Sequence, residues 1–193
     1  MKSKEQKLFE DAPVGRAVLS LVIPTVISQL ITGMSQGALP LIGYNYSSQN
    51  YKRMLAAIKT DFLMSPGISV VGTLFLFTCA GPIVHAFIDN AETVRYGQTF
   101  QRIICITGPC ISVTMLAITS FQSVGKKLEP TVLSLLRKGG VDIPFMLILN
   151  ALAGVGGIVW ATPIADLIAM TTAILLFLPF WRRLSSLAKK ESV

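Results

Sequence analysis

Chemistry-bearing side chains are scarce in this sequence. It has ten Asp and Glu, one His and three Cys in 193 residues. These do not assemble into a zinc-spaced set or into a nucleophile with a base. A glycine loop followed by lysine is also missing, so ATP-driven work within this chain has no support and any energy input would come from an ion gradient. No catalytic, cofactor-binding or metal-ligating residue is nominated. Charge as a whole is thin: 14% of residues are Asp, Glu, Lys or Arg, against about a quarter in an ordinary soluble domain. Cys79, Cys105 and Cys110 fall inside apolar stretches and read as buried filler rather than disulfide partners. Acidic Glu5, Glu10 and Asp11 precede the first apolar run without a small-residue cleavage site after it, which argues against a removable secretory signal.

What fills the space is hydrophobicity. More than half the residues are apolar, concentrated in stretches at 62–88, 103–121, 132–152 and 157–180. About 20 apolar residues, at about 1.5 Å rise each, cross a hydrocarbon core of roughly 30 Å, so each stretch is long enough. The expected fold is therefore an all-α polytopic helical bundle with about five membrane segments, and the lipid bilayer is its first partner.

The basic residues orient it. Lys52, Arg53 and Lys59 form one group, Lys126, Lys127, Arg137 and Lys138 a second, and Arg182, Arg183, Lys189 and Lys190 a third. In the intervening connections Asp89 and Glu92 balance Arg95 and Arg102, or charge is absent, as from Asn150 to Gly157. This is the positive-inside pattern and puts the three basic groups and the C-terminus in the cytoplasm. The net charge of +7 follows from it. Nucleic-acid binding does not fit, because the cations sit at helix ends and not in one stripe.

The expected organisation is a cytoplasmic lead (1–16), a composite first membrane segment (17–46), a four-helix part (47–181) and a cytoplasmic basic tail (182–193). The apolar span 17–44 would be about 42 Å as a straight helix, so it must tilt, kink or split. It also carries basic residues on both flanks, Lys2, Lys4, Lys7 and Arg16 before and Lys52 and Arg53 after, which a single crossing cannot reconcile. A forced flank, a re-entrant pair of half helices or a missing segment would each resolve the conflict.

Polar groups inside the apolar stretches are the site candidates. A carboxylate near a helix centre costs about 2.5 to 3.5 kcal/mol on insertion scales, so it faces a cavity or a partner. Asp166, after Pro163, reads either as a wall of a cation-accepting vestibule or as a helix–helix hydrogen bond to Thr162 or Thr171. Asp142 reads as an ion pair with Arg137 or Lys138, with a pathway role as the alternative. Gln36, with Gln29 and Asn45, reads as pathway lining or as helix bridging. Asp61, next to Lys59, reads as interfacial. Trp160, Trp181 and Tyr96 read as interfacial anchors.

Four motifs carry a resemblance. They are Ser35-Gln36-Gly37-Ala38-Leu39-Pro40-Leu41-Ile42-Gly43-Tyr44-Asn45-Tyr46 followed by Asn50-Tyr51-Lys52-Arg53, Phe121-Gln122-Ser123-Val124-Gly125-Lys126, Ser134-Leu135-Leu136-Arg137, and Trp160-Ala161-Thr162-Pro163-Ile164-Ala165-Asp166. In order and spacing they resemble the second half of multidrug and toxic compound extrusion (MATE) transporters, from about residue 35 onward. Ala12-Pro13-Val14-Gly15 and residues 21–28 resemble the family's lead and first helix instead. The resemblance implies a join near Met34 and Ser35, with six or so helices of the two-lobed fold absent between. It further implies export of amphipathic, often cationic compounds in exchange for H⁺ or Na⁺, across a bacterial-type inner cell membrane, by two lobes rocking about a central site. One lobe alone would not alternate, so self-association or a complementary lobe is expected, or else a non-transporting remnant or membrane subunit. The chain departs from the pattern at Ser47, Ser48, Lys138 and Asp142, and the family's coupling acids have no match in the acid-free stretch 103–121.

Overall fold

The computed structural model describes residues 33, 36–87 and 90–191, and every element among them is a helix. The lead, most of the expected composite segment, Gln29 and the proposed join at residues 34 and 35 lie outside the described residues. Helix α1 (36–47) leads through a tight turn into α2 (Tyr51–Thr78), where the Asn50 side chain accepts from the Arg53 N–H at 3.1 Å and caps the first turn. After Cys79 the chain continues as α3 (Ala80–Phe87). Asn90 caps α4 (Ala91–Cys105) by accepting from the Glu92 and Thr93 amides. Two residues break α4 from α5 (Gly108–Ser123), with Pro109 in the first turn of α5, where its missing N–H is no loss. Then follow α6 (Leu128–Leu135), a π-helical segment (Leu136–Gly140) and α7 (Asp142–Lys190).

The apolar stretches are found, with shifted bounds. The helix expected from 62 begins at Tyr51, so Lys52, Arg53 and Lys59 ride on α2 and not in a linker. The stretch 103–121 is split and bent by 44° between α4 and α5. The last helix runs past 180 to Lys190, carrying the basic tail in helical form.

α7 is two arms. Gly154 has φ 61° and ψ −150°, a region open essentially to glycine alone. Around it the contacts nest. A Cβ on Gly157 would meet the Leu149 carbonyl, the Thr162 hydroxyl donates to Asp142 at 3.2 Å, and Arg137 reaches Asp166 at 2.8 Å. Partners thus move outward on both sides together, which only an antiparallel hairpin does. Length demands it as well: the apolar run Leu128–Lys190 is 63 residues, far beyond the roughly 30 Å that a bilayer offers. α2, the run Leu128–Lys190 and the bent α4–α5 pair are the candidate spans among the described residues, two by themselves and three with the bent pair, and the chain is a multi-pass membrane protein.

One end of the bundle collects the cations. Ile42, Met54, Ile58 and Leu184 pack together and join α1, the start of α2 and the end of α7. The Lys52 amide donates to the Glu191 carboxylate at 3.2 Å, and Lys59 lies over the Trp181 ring at 6.0 Å. Lys126 sits over Phe121 and Phe180 at 5.2 and 5.9 Å. Lys52 and Lys126, distant in sequence, therefore share an end, as the charge pattern required. Phe121, Phe177, Phe180 and Trp181 stack edge-on or tilted with centroids 5.4 to 6.1 Å apart, so these aromatics pack the bundle.

α5 is the central helix, packed on α2 and on the second arm of α7. It can be approached closely because the facing surfaces are small. α2 turns Asp61, Ser65 and Ser69 inward at four-residue spacing, and α7 turns Ala161, Ala165, Ala169 and Ala173 inward, all of them buried. Small residues at this spacing replace the hydrophobic drive that lipid does not supply.

Gly154→Ala should strain the hairpin by about 1–3 kcal/mol. Gly156→Ala, which meets nothing within 4 Å, should be neutral or stabilising by about 0.5–1 kcal/mol, as in any exposed helix. Followed by far-UV circular dichroism in mixed micelles, the unfolding midpoint of Gly154→Ala should fall and that of Gly156→Ala should hold or rise.

Candidate functional site

Asp166 lies on the second arm of α7, three turns beyond the Gly154 turn, and only 2% of it is exposed. Its Oδ1 accepts from Arg137 Nε at 2.8 Å, and its Oδ2 from the Thr107 hydroxyl at 3.1 Å. The Arg137 side chain is itself nearly buried, so this is an ion pair inside the bundle. Thr107 sits in the α4–α5 break and also lies 3.3 Å from the Ile104 carbonyl. Its single proton goes preferentially to the carboxylate, the stronger acceptor.

The hairpin changes the expected pairing. Arg137 does not serve Asp142. In the π-helical segment the Val141 N–H bonds the Leu136 carbonyl at 3.1 Å, five residues back. Arg137 there points across to Asp166 while Asp142, one turn on, accepts from Thr162. Thr162, expected beside Asp166, is instead the partner of Asp142, and Thr171 bonds its own helix at Leu167. Since Thr162 and Asp166 are four residues apart, the two rungs lie on one face of α7. They form a continuous polar seam between its arms.

Gln36 does not join that seam. It is exposed near the start of α1. α1 packs through Ile42 beside Leu184, eighteen residues beyond Asp166, or about 27 Å along the helix. Asn45 is buried but donates to the Leu41 carbonyl of its own helix at 2.7 Å.

Asp61 is 6% exposed and receives the Ser65 hydroxyl, one turn of α2 beyond Ile58 and Lys59 at the cationic end. The signal for its burial was its four-residue spacing from Ser65 and Ser69. Thr107 was missed, and there the clue was Pro109, which marks a helix start inside an apolar run. Among the described residues, Ser69 and Ser120 hold buried hydroxyl oxygens without a hydrogen-bond partner.

Two buried carboxylates, one paired arginine and a helix break with a polar lining are costly inside an apolar bundle and mark the candidate site. The MatE family model matches residues 11–148. The chain belongs to the MatE family. Among curated relatives, the multidrug export protein MepA of Staphylococcus aureus is 27% identical over 147 residues, 76% of this chain and 32% of MepA. MepA of Staphylococcus saprophyticus is 30% identical over 148 residues, with the same shares. The chain thus spans about a third of the length of the curated relatives it matches. Among solved structures, a crystal structure of MATE in the straight conformation superposes with a TM-score of 0.69 at 19% identity, over 96% of this chain and 42% of that one. An inward-facing multidrug resistance MATE family transporter superposes with a TM-score of 0.64 at 21% identity, over 96% and 44%. These likenesses establish the fold of this MatE chain.

Removing one member of the Arg137–Asp166 pair leaves the other charge buried alone. Asp166→Leu or Arg137→Leu should each lower stability by about 3 kcal/mol, and the double variant by much less than their sum. A double-mutant cycle of unfolding in mixed micelles measures the coupling. Asp142→Asn, at a half-buried position with one hydroxyl donor, should cost about 1 kcal/mol or less.

Proposed function

We propose that this chain forms part of a drug exporter that moves amphipathic, often cationic compounds out of the cell in exchange for H⁺ or Na⁺. The observation that carries the reading is the match of the MatE model to residues 11–148, with relatives named as multidrug export proteins. The cationic end of the bundle faces the cytoplasm, with the C-terminus beside it, since Lys and Arg are retained on that side of the cell membrane. The described helices act as one body against a complementary set of helices, supplied by another chain or a second copy.

In this reading Asp166 is the pathway carboxylate and Asp142 its neighbour on the seam, while Gln36 lines the approach from α1. The geometry supports Asp166 best, because it ties together two irregular points of backbone: the α4–α5 break through Thr107 and the π-helical segment through Arg137. π-helical turns are frequent at functional sites. Cation binding or protonation at Asp166 would weaken both ties together, which is how a local charge change becomes a shift between packed states.

A second reading is a membrane subunit that does not transport. One observation favours it: Asp166 already has a compensating arginine at 2.8 Å, so its charge is satisfied without any cargo.

Vesicles carrying the chain alone should export a cationic dye no faster than empty vesicles, and co-reconstitution with a complementary lobe should create gradient-dependent export. Gradient-dependent export by the chain alone, lost in Asp166→Asn, would overturn the need for a partner. Absence of export in both preparations would leave the subunit reading.

A further inference from the structure

A surface cavity adjoins the π-helical segment that carries Arg137. It has a volume of about 870 Å³ and opens between the end of α5 and the α6–π segment. Lys127, Thr131, Ser134 and Lys138 all line it. Their spacing of four, three and four residues makes a stripe along one face of a helix about 16 Å long. Positive charge stands at both ends of the stripe with hydroxyls between.

The cations differ in what they already hold. Lys126, at the same cavity, is engaged by Glu129 and by the rings of Phe121 and Phe180. Among the described residues Lys127 and Lys138 have no ion-pair partner, and both are exposed. Lys138 lies about 16 Å further along the helix than Lys127, so the stripe offers an anion two cations that no carboxylate holds.

The neighbouring face identifies the occupant. Leu128, Val132 and Leu135 are 79%, 45% and 64% exposed, at four- and three-residue spacing beside the basic stripe. A soluble phosphate would use the lysines and hydroxyls and leave these side chains bare. A phospholipid uses both, with its phosphate on the stripe and an acyl chain along the leucines.

We propose that this cavity is a binding site for the headgroup of an anionic phospholipid, held by Lys127, Lys138, Thr131 and Ser134 with an acyl chain on Leu128, Val132 and Leu135. Basic pockets between membrane helices at the cationic face are suited to such headgroups, and each lysine near the surface adds to the attraction. The site is separate from the transport reading and stands whether or not the chain exports drugs.

Native mass spectrometry of the full chain, titrated in detergent with phosphatidylglycerol or phosphatidylcholine, tests it. Phosphatidylglycerol should bind more tightly, and K127Q/K138Q should weaken it by roughly tenfold or more while leaving phosphatidylcholine unchanged. K189Q/K190Q removes two cations from the same end outside the cavity and should change little. An equal loss in K189Q/K190Q would show diffuse surface attraction and overturn the site. Displacement of the lipid by excess glycerol phosphate would overturn the lipid as its occupant. Should K127Q/K138Q lose its helical circular dichroism, the unaltered chain still decides, because phosphatidylglycerol binding no tighter than phosphatidylcholine overturns the proposal.

Discussion

A guanidinium and a carboxylate 2.8 Å apart inside an apolar bundle impose conditions on every helix around them. Neither charge is tolerable alone in hydrocarbon, so the backbone must deliver both to one place. Arg137 and Asp166 are far apart along the chain, and only a reversal between them can bring them together. Gly154 supplies that reversal, with dihedral angles that other residues adopt only under strain. The π-helical segment sets the level at which Arg137 crosses. The pair and the hairpin therefore imply each other: the turn brings the charges together, and the charges hold the arms in register.

Register matters because the rest of the packing is close and small. Ala161, Ala165, Ala169 and Ala173 present almost no relief for neighbours to lock against, so α5 could slide along them at little cost. Directional polar contacts prevent this. Thr107 at the foot of α5 is bonded to Asp166, which fixes the helix at one end. The aromatic cluster of Phe121, Phe177 and Phe180 fixes it at the other. Small residues thus allow contact, and the polar and aromatic groups choose which contact is made.

Much of this was readable from the chain. Apolar length and the placement of lysines announced a polytopic bundle with its cations on one end, because both follow from the solvent and need no knowledge of neighbours. The chargeless stretch from Asn150 to Gly157 marked a turn, and Gly154 makes it. Asp166 stood out because a carboxylate in an apolar run has few explanations. Its partners did not stand out. Sequence proximity suggested Thr162 for Asp166 and Arg137 for Asp142, whereas an antiparallel hairpin exchanges them, since pairing there depends on distance from the turn. The start of α2 was less legible: hydrophobicity begins near Phe62, while the Asn50 cap puts the start at Tyr51 and packs Asp61 against neighbouring helices.

The division of charge within the molecule has a consequence for how it can move. Most of its cations lie at one end, where water and lipid headgroups satisfy them and where they resist crossing the membrane. Arg95 and Arg102 stand apart on α4, and Arg137 is nearly buried and matched by one acid. Thr107 and Arg137 both depend on the Asp166 carboxylate, and each comes from a place where the α-helical ladder is interrupted. A regular helix resists bending along its whole length, but an interrupted one bends where its hydrogen bonds are already shifted. Asp166 therefore bonds two interrupted parts of the bundle to one arm of α7, and its carboxylate holds both at once.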